Sequence, residues 1–175
     1  MPSVEAQDRS WLHVALVRGL DMSKDPQRGV GAVLVSADGR QSAVGYNGLP
    51  AGVPDTVENW ARPRKYDLVV HAEVNAVVNC PFDPRGGTLY CVVRPCHRCL
   101  GPVTNAGVRR IVFYADNPPF AGNDAGLWSY IVDRVGLEAV EYAPDATALA
   151  IADAAGRAHD HYEGEEEEEP LWLVK

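Results

Sequence analysis

The chain has 175 residues, enough for one domain with its own core, and 46% hydrophobic with 23% charged residues is an ordinary globular balance. A formal charge of −8 argues against a long nucleic acid as partner, because lysine and arginine carry affinity for a phosphate polymer. No run reaches the roughly 20 apolar residues that span a bilayer, and residues 1–9 lack the apolar core of a secretory signal, so a cytoplasmic protein without membrane contact is expected.

Taken in order, a first helix is predicted over 8–20, with Trp11, Leu12, Ala15, Leu16 and Leu20 at helical spacing. Asp8 or Ser10 is its expected cap, His13 an ordinary surface or half-buried residue, and Gly19 an interruption near its end. A polar turn over 23–29 leads into a buried strand over 30–36. Asp38-Gly39 signals a hairpin to a second strand over 41–46. Residues 47–67 read as a long turn-rich loop holding Trp60 and the cations Arg62, Arg64 and Lys65. Its length and its place before His71 suit a lid or ligand-binding loop.

A buried helix is expected from His71 to about Asn79, and a third strand over 88–93 with Cys91 in the core. The motif from Cys96 to Cys99 opens another helix, which Gly107 can close. A fourth strand over 108–114, a loop over 117–123 and a helix over 125–135 follow, the helix turning Leu127, Tyr130, Ile131 and Val135 inward. A fifth strand is expected over 137–142 and a final helix over 144–161. Alternating strands and helices after a hairpin predict a three-layer α-β-α sandwich with a mixed five-stranded sheet. The domain is expected over 1–161. Residues 162–175 are expected to be an acidic, disordered tail, because the like charges at Glu163 and 165–169 oppose folding.

The chemistry concentrates in His71-Ala72-Glu73 and Pro95-Cys96-His97-Arg98-Cys99. One histidine and two cysteines are ligands that zinc prefers, and three of them leave a fourth position open, as a catalytic site requires. Cys96 and Cys99 are three apart, so on a helix they share a face; a helix start also favours the thiolate. Glu73 would stand beside the opening as a proton carrier. Cys80 and Cys91 are expected to be inert. A closed zinc knuckle or a bare redox pair would account for C-x-x-C alone, but not for the histidine and glutamate on a second helix start.

H-x-E followed by P-C-x-x-C is the zinc deaminase signature, and residues 23–114 resemble the deoxycytidylate (dCMP) deaminases of the cytidine deaminase-like superfamily. Further matches are Ser23-Lys24-Asp25-Pro26, Val30-Gly31-Ala32, the block from Gly45 through Tyr46-Asn47-Gly48-Leu49-Pro50 to Gly52, and Val70 through Ala76. The resemblance implies Zn2+ held by His71, Cys96 and Cys99, with Glu73 as proton shuttle. It implies contacts from Asn47 to the sugar, from the Ala72 backbone N–H to the pyrimidine carbonyl, and from Arg28 to the 5′-phosphate. Tyr114 or Phe120 would supply a stacking face. The implied reaction is hydrolysis of dCMP to dUMP and ammonia, in a homo-oligomer (a hexamer in many relatives) regulated by dCTP and dTTP. The alternatives are a deaminase of a 5-substituted dCMP or of free (deoxy)cytidine, and a zinc-containing nucleotide-binding regulatory protein without turnover. Arg94, where relatives commonly carry an apolar residue, and 116–120 depart from the pattern.

Overall fold

The computed structural model describes residues 2–115 and 125–159, with side chains to 155. The expectations for 116–124, including Phe120, and for the tail lie outside the described residues. The helices are α1 (Val4–Met22), α2 (Val57–Trp60), α3 (Arg64–Leu68), α4 (Ala72–Val78), α5 (His97–Asn105), α6 (Ala125–Val135) and α7 (Ala146–His159). The strands are β1 (Gly31–Val35), β2 (Ser42–Tyr46), β3 (Thr88–Cys91), β4 (Arg110–Tyr114) and β5 (Glu138–Tyr142).

Among the described residues these strands form one sheet in the order β2-β1-β3-β4-β5. β1 runs antiparallel to β2 and β3, whereas β3, β4 and β5 run parallel. The predicted mixed five-stranded sheet is present. Strand alternation sends Ala32, Leu34, Leu89, Cys91, Ile111 and Phe113 to one face, where they pack with Ala72 and Ala76 of α4 and Leu100 and Val103 of α5. Val33, Val35, Tyr90, Val112 and Tyr114 go to the other, against Leu12, Ala15 and Leu16 of α1 and Ala148 of α7. Two apolar layers thus sandwich the sheet.

The strand directions matter for function. β2, β3 and β4 end at the same edge of the sheet at which β1 begins. Arg28 before β1, Asn47 after β2 and Cys96 after β3 therefore converge at one edge, although the sequence separates them widely.

Several local expectations change. α1 begins at Val4, and Ser3 caps it, its hydroxyl accepting the Ala6 N–H at 3.2 Å. Asp8 is no cap but a buried residue on the helix face that meets the sheet. Gly19 does not interrupt the helix. It lets α1 approach β1 so closely that a Cβ there would lie 2.7 Å from the Val30 carbonyl carbon. The 47–67 region is not loop throughout, since it carries α2 and α3 and buries Asn59, Trp60 and Lys65. On α6 the core-facing residues are Trp128, Ile131 and Val132. Leu127, Tyr130 and Val135 remain exposed. The edge-to-face contact of Trp128 with Phe113, at 6.0 Å, fixes that rotation, and one residue of offset turns a helix by about 100°.

Candidate active site

His71 and Cys96 occupy the N-cap positions of α4 and α5, both with extended backbone, and Cys99 lies one turn into α5. Two helix starts thereby bring three ligand atoms together. His71 Nδ1 lies 3.5 Å from Cys96 Sγ and 3.2 Å from Cys99 Sγ, and the two sulfurs are 3.4 Å apart. Donors sharing one tetrahedral zinc stand about 3.5–3.8 Å from each other, so a few tenths of an ångström of spreading would seat the ion. The residues fit zinc, both in donor type and in spacing. Other groups of three histidine, cysteine or acidic ligands are absent among the described residues.

The electrostatics of the triad favour metal capture. The thiols share a proton: hydrogen bonding from Cys99 and then His71 pulls Cys96 down to about 3, while Cys99 is pushed up. His71 is raised chiefly by its hydrogen bond with Cys96. Lowered in this way, Cys96 is the thiol readiest to meet a metal ion as thiolate, and loading releases the remaining protons. Glu73, in the first turn of α4, is only 3% exposed, and burial is the main cause pushing its carboxyl above the usual range.

What aims α4 is its contact with β2. A Cβ on Gly45 would overlap the Ala72 carbonyl oxygen and the Ala76 nitrogen, so only glycine allows this approach. The Asn75 amide donates to the Tyr46 carbonyl at 2.8 Å. Gly48 and Val70 exchange backbone hydrogen bonds at 3.1 and 2.8 Å, fixing the chain just before His71. The Ala72 N–H is among the first-turn donors that a helix cannot satisfy internally.

The remaining expected site residues fare differently. Arg28 and Asn47 stand at the same sheet edge as the triad. Asn47 is buried, and its amide is mostly committed: Nδ2 donates to the Arg28 carbonyl at 2.9 Å and to Asp25 at 3.2 Å, and Oδ1 accepts the Val30 N–H at 2.8 Å. One Oδ1 lone pair remains for a ligand. Tyr114 is a correction. Its side chain lies in the α1–α7 layer, across the sheet from α4 and α5, because strand alternation turns Phe113 and not Tyr114 toward the site layer. Arg94 finds an aromatic partner, its guanidinium lying 5.5 Å from the Trp128 ring centre, which accommodates a cation where an apolar side chain was expected.

Sequence reasoning missed the Lys65–Asp25 pair. Lys65 read as one of three loop cations, yet its ammonium is buried 2.9 Å from both Asp25 oxygens. The Asp25 match to the family pattern was a signal. Nothing nearby in sequence pointed to its partner.

A mixed sheet carrying a histidine and a C-x-x-C pair on two helix starts, with a buried glutamate beside them, defines the zinc-dependent deaminase architecture. The sequence model described as the cytidine and deoxycytidylate deaminase zinc-binding region matches residues 5–115, and the chain belongs to that family. Similar proteins include the human deoxycytidylate deaminase, 37% identical over 101 residues, covering 54% of this chain and 57% of the human one. The Pongo abelii deoxycytidylate deaminase is 30% identical over 136 residues, covering 74% and 76%. The dCMP deaminase of cyanophage S-TIM5, solved with dCMP and dUMP, superposes with a TM-score of 0.60 at 23% identity, covering 81% of this chain and 100% of that one. Acinetobacter baumannii RibD shares the fold with a TM-score of 0.58 at 24% identity, covering 91% and 42%. This chain thus matches little more than half the length of the human relative, and the fold alone does not select a substrate.

Proposed function

We propose that this protein hydrolyses dCMP to dUMP and ammonia, with His71, Cys96 and Cys99 holding zinc. The observation that carries the reading is the convergence of the three ligand atoms with buried Glu73 beside them. The nucleotide preference is supported by the relatives' names and by the Gly45-to-Gly52 block at the same sheet edge. When bound, zinc lowers the pKa of a water toward about 7 and so supplies the nucleophile that attacks C4.

Glu73 takes up the proton of the attacking water, passes it to the ring nitrogen, and then serves the departing amine. Burial suits it to the task, because a carboxyl pushed above the usual range by desolvation takes up a proton more readily than an exposed one. The Ala72 N–H donates to the pyrimidine carbonyl and sets the ring's orientation. Arg28 receives the 5′-phosphate, for which a guanidinium fork is well shaped. Asn47 accepts from the sugar through its spare Oδ1 lone pair while its other bonds hold the wall of the pocket. This unit lies within residues 1–161 and works in the cytoplasm as a homo-oligomer, with dCTP and dTTP as activating and inhibiting effectors. Among the described residues, no helix is long and apolar enough to cross a membrane.

Ammonia release from dCMP, 5-methyl-dCMP and deoxycytidine, each with and without dCTP or dTTP, tests substrate and regulation together. dCMP should be deaminated with the highest kcat/KM. A preference for deoxycytidine would sink the nucleotide reading, and zinc retention without turnover on any of the three would sink the enzymatic one.

A further inference from the structure

The segment that carries Arg28 has no helix or strand of its own between α1 and β1. Its shape depends on side chains, and those side chains form a closed network. Asp25 Oδ1 accepts from Lys65 Nζ at 2.9 Å and from the Gln27 N–H at 3.0 Å. Asp25 Oδ2 accepts from Lys65 Nζ at 2.9 Å and from Asn47 Nδ2 at 3.2 Å. Lys65 Nζ also donates to Gln27 Oε1 at 2.9 Å. The Ser23 hydroxyl donates to the Asn47 carbonyl and accepts the Asp25 N–H, at 3.1 and 3.2 Å.

An ammonium has three donors, and all three of Lys65's are used; a carboxylate has about four acceptor sites, and Asp25's are filled. Neither group has capacity left for a ligand. Their side chains are 7% and 4% exposed, and a buried pair of opposite charges is costly unless its geometry is nearly complete, as here. The network runs from α3, through Asp25, to the Arg28 carbonyl and the Val30 N–H by way of Asn47. At its other end α3 closes with the Val69 N–H on the Lys65 carbonyl, just before the Gly48–Val70 bridge and His71.

We infer that the Lys65–Asp25 pair is a positioning clamp for nucleotide recognition, holding the Arg28 segment in register with the His71 side of the site. This inference rests on the proposed dCMP reaction and adds residues that act without touching substrate. A clamp of this kind governs how well the phosphate end is gripped, leaving the triad and Glu73 in place.

The test uses the zinc-loaded full chain and compares dCMP with deoxycytidine. Lys65→Met removes the charge, the neutral pair Asp25→Asn/Lys65→Gln retains hydrogen-bonding shapes, and Lys65→Arg is the conservative variant. For Lys65→Met, KM for dCMP should rise about tenfold or more with kcat within about threefold. kcat/KM for deoxycytidine, which feels the clamp only through Asn47, should fall several-fold less than that for dCMP, and zinc stoichiometry should not change, so the dCMP-to-deoxycytidine ratio drops. Lys65→Arg should recover part of that ratio. If Lys65→Met does not melt cooperatively, the neutral pair provides the same reading. Equal losses on both substrates would make the pair merely structural, and an unchanged ratio in the neutral pair would likewise overturn the clamp. A wild type that does not prefer dCMP overturns the substrate reading and the clamp's role with it; a wild-type preference that survives in the variants overturns the clamp alone.

Discussion

Two carboxylates are buried on opposite faces of the same sheet, Asp8 at 1% exposure and Glu73 at 3%, yet their environments drive them in opposite directions. Burial would raise Asp8 too. The Arg110 guanidinium, donating twice at 2.8 Å, together with the Tyr142 and Tyr90 hydroxyls at 3.0 and 3.1 Å, instead holds it below the usual carboxylate range. At Glu73 desolvation is the largest influence and outweighs the lowering effect of neighbouring His71. The difference separates a carboxylate held in its charged form from one whose protonated form is favoured, as the proposed proton carrier requires. Burial by itself distinguishes nothing; the partners do.

Glu73→Gln gives the largest expected effect on this comparison. It preserves size and zinc ligation but removes the proposed proton carrier, so kcat on dCMP should drop by about 10²–10⁴-fold with metal content unchanged. Activity within about threefold of wild type would take Glu73 out of the mechanism.

Asp8→Asn breaks the other member. It leaves Arg110 half-satisfied in a partly buried setting and should cost about 3 kcal/mol in chemical denaturation, with kcat of the folded protein retained. The pH dependence has a definite sign. Because Asp8's folded pKa lies below its unfolded value of about 3.9, its contribution is fully present above that value. It disappears as pH falls through the folded pKa. The stability gap between wild type and Asp8→Asn should therefore be widest near neutrality and close in acid, and a gap that widened in acid would contradict the assignment.

Gly45→Ala is the finest probe, since it touches neither carboxylate directly. The added methyl meets the α4 backbone and should cost about 1–3 kcal/mol of stability. It should also lower kcat, because His71 and Glu73 ride on that helix start. Loss of stability with full activity would show that α4 can shift without disturbing the chemistry.

What was legible in the sequence was local. H-A-E and P-C-x-x-C each sit within one helix start, and the apolar runs of β1 and β4 fix their own strand character. The alternation over Ile111, Val112, Phe113 and Tyr114 was visible too, but not which parity would meet α4, and Tyr114 was assigned to the wrong side. Pairings across long stretches of chain leave no pattern to read. Asp25 and Lys65 are separated by 40 positions and Asp8 and Arg110 by 102, and either carboxylate passes for a surface residue until the partner arrives. Gly45 and Gly19 are similar cases, since a missing side chain acquires meaning only from the backbone that comes to rest against it.

The shared direction of β2, β3 and β4 has a consequence for how this molecule can vary. All the groups assigned to chemistry and recognition collect at one edge of the sheet, so the opposite edge is free of them. There the hairpin between β1 and β2 exposes Asp38, Gly39 and Arg40 to solvent, tied mainly to Ser36 and to one another. That tip is a place to lengthen, label or tether the chain, with the full span of a strand between the alteration and the reacting atoms.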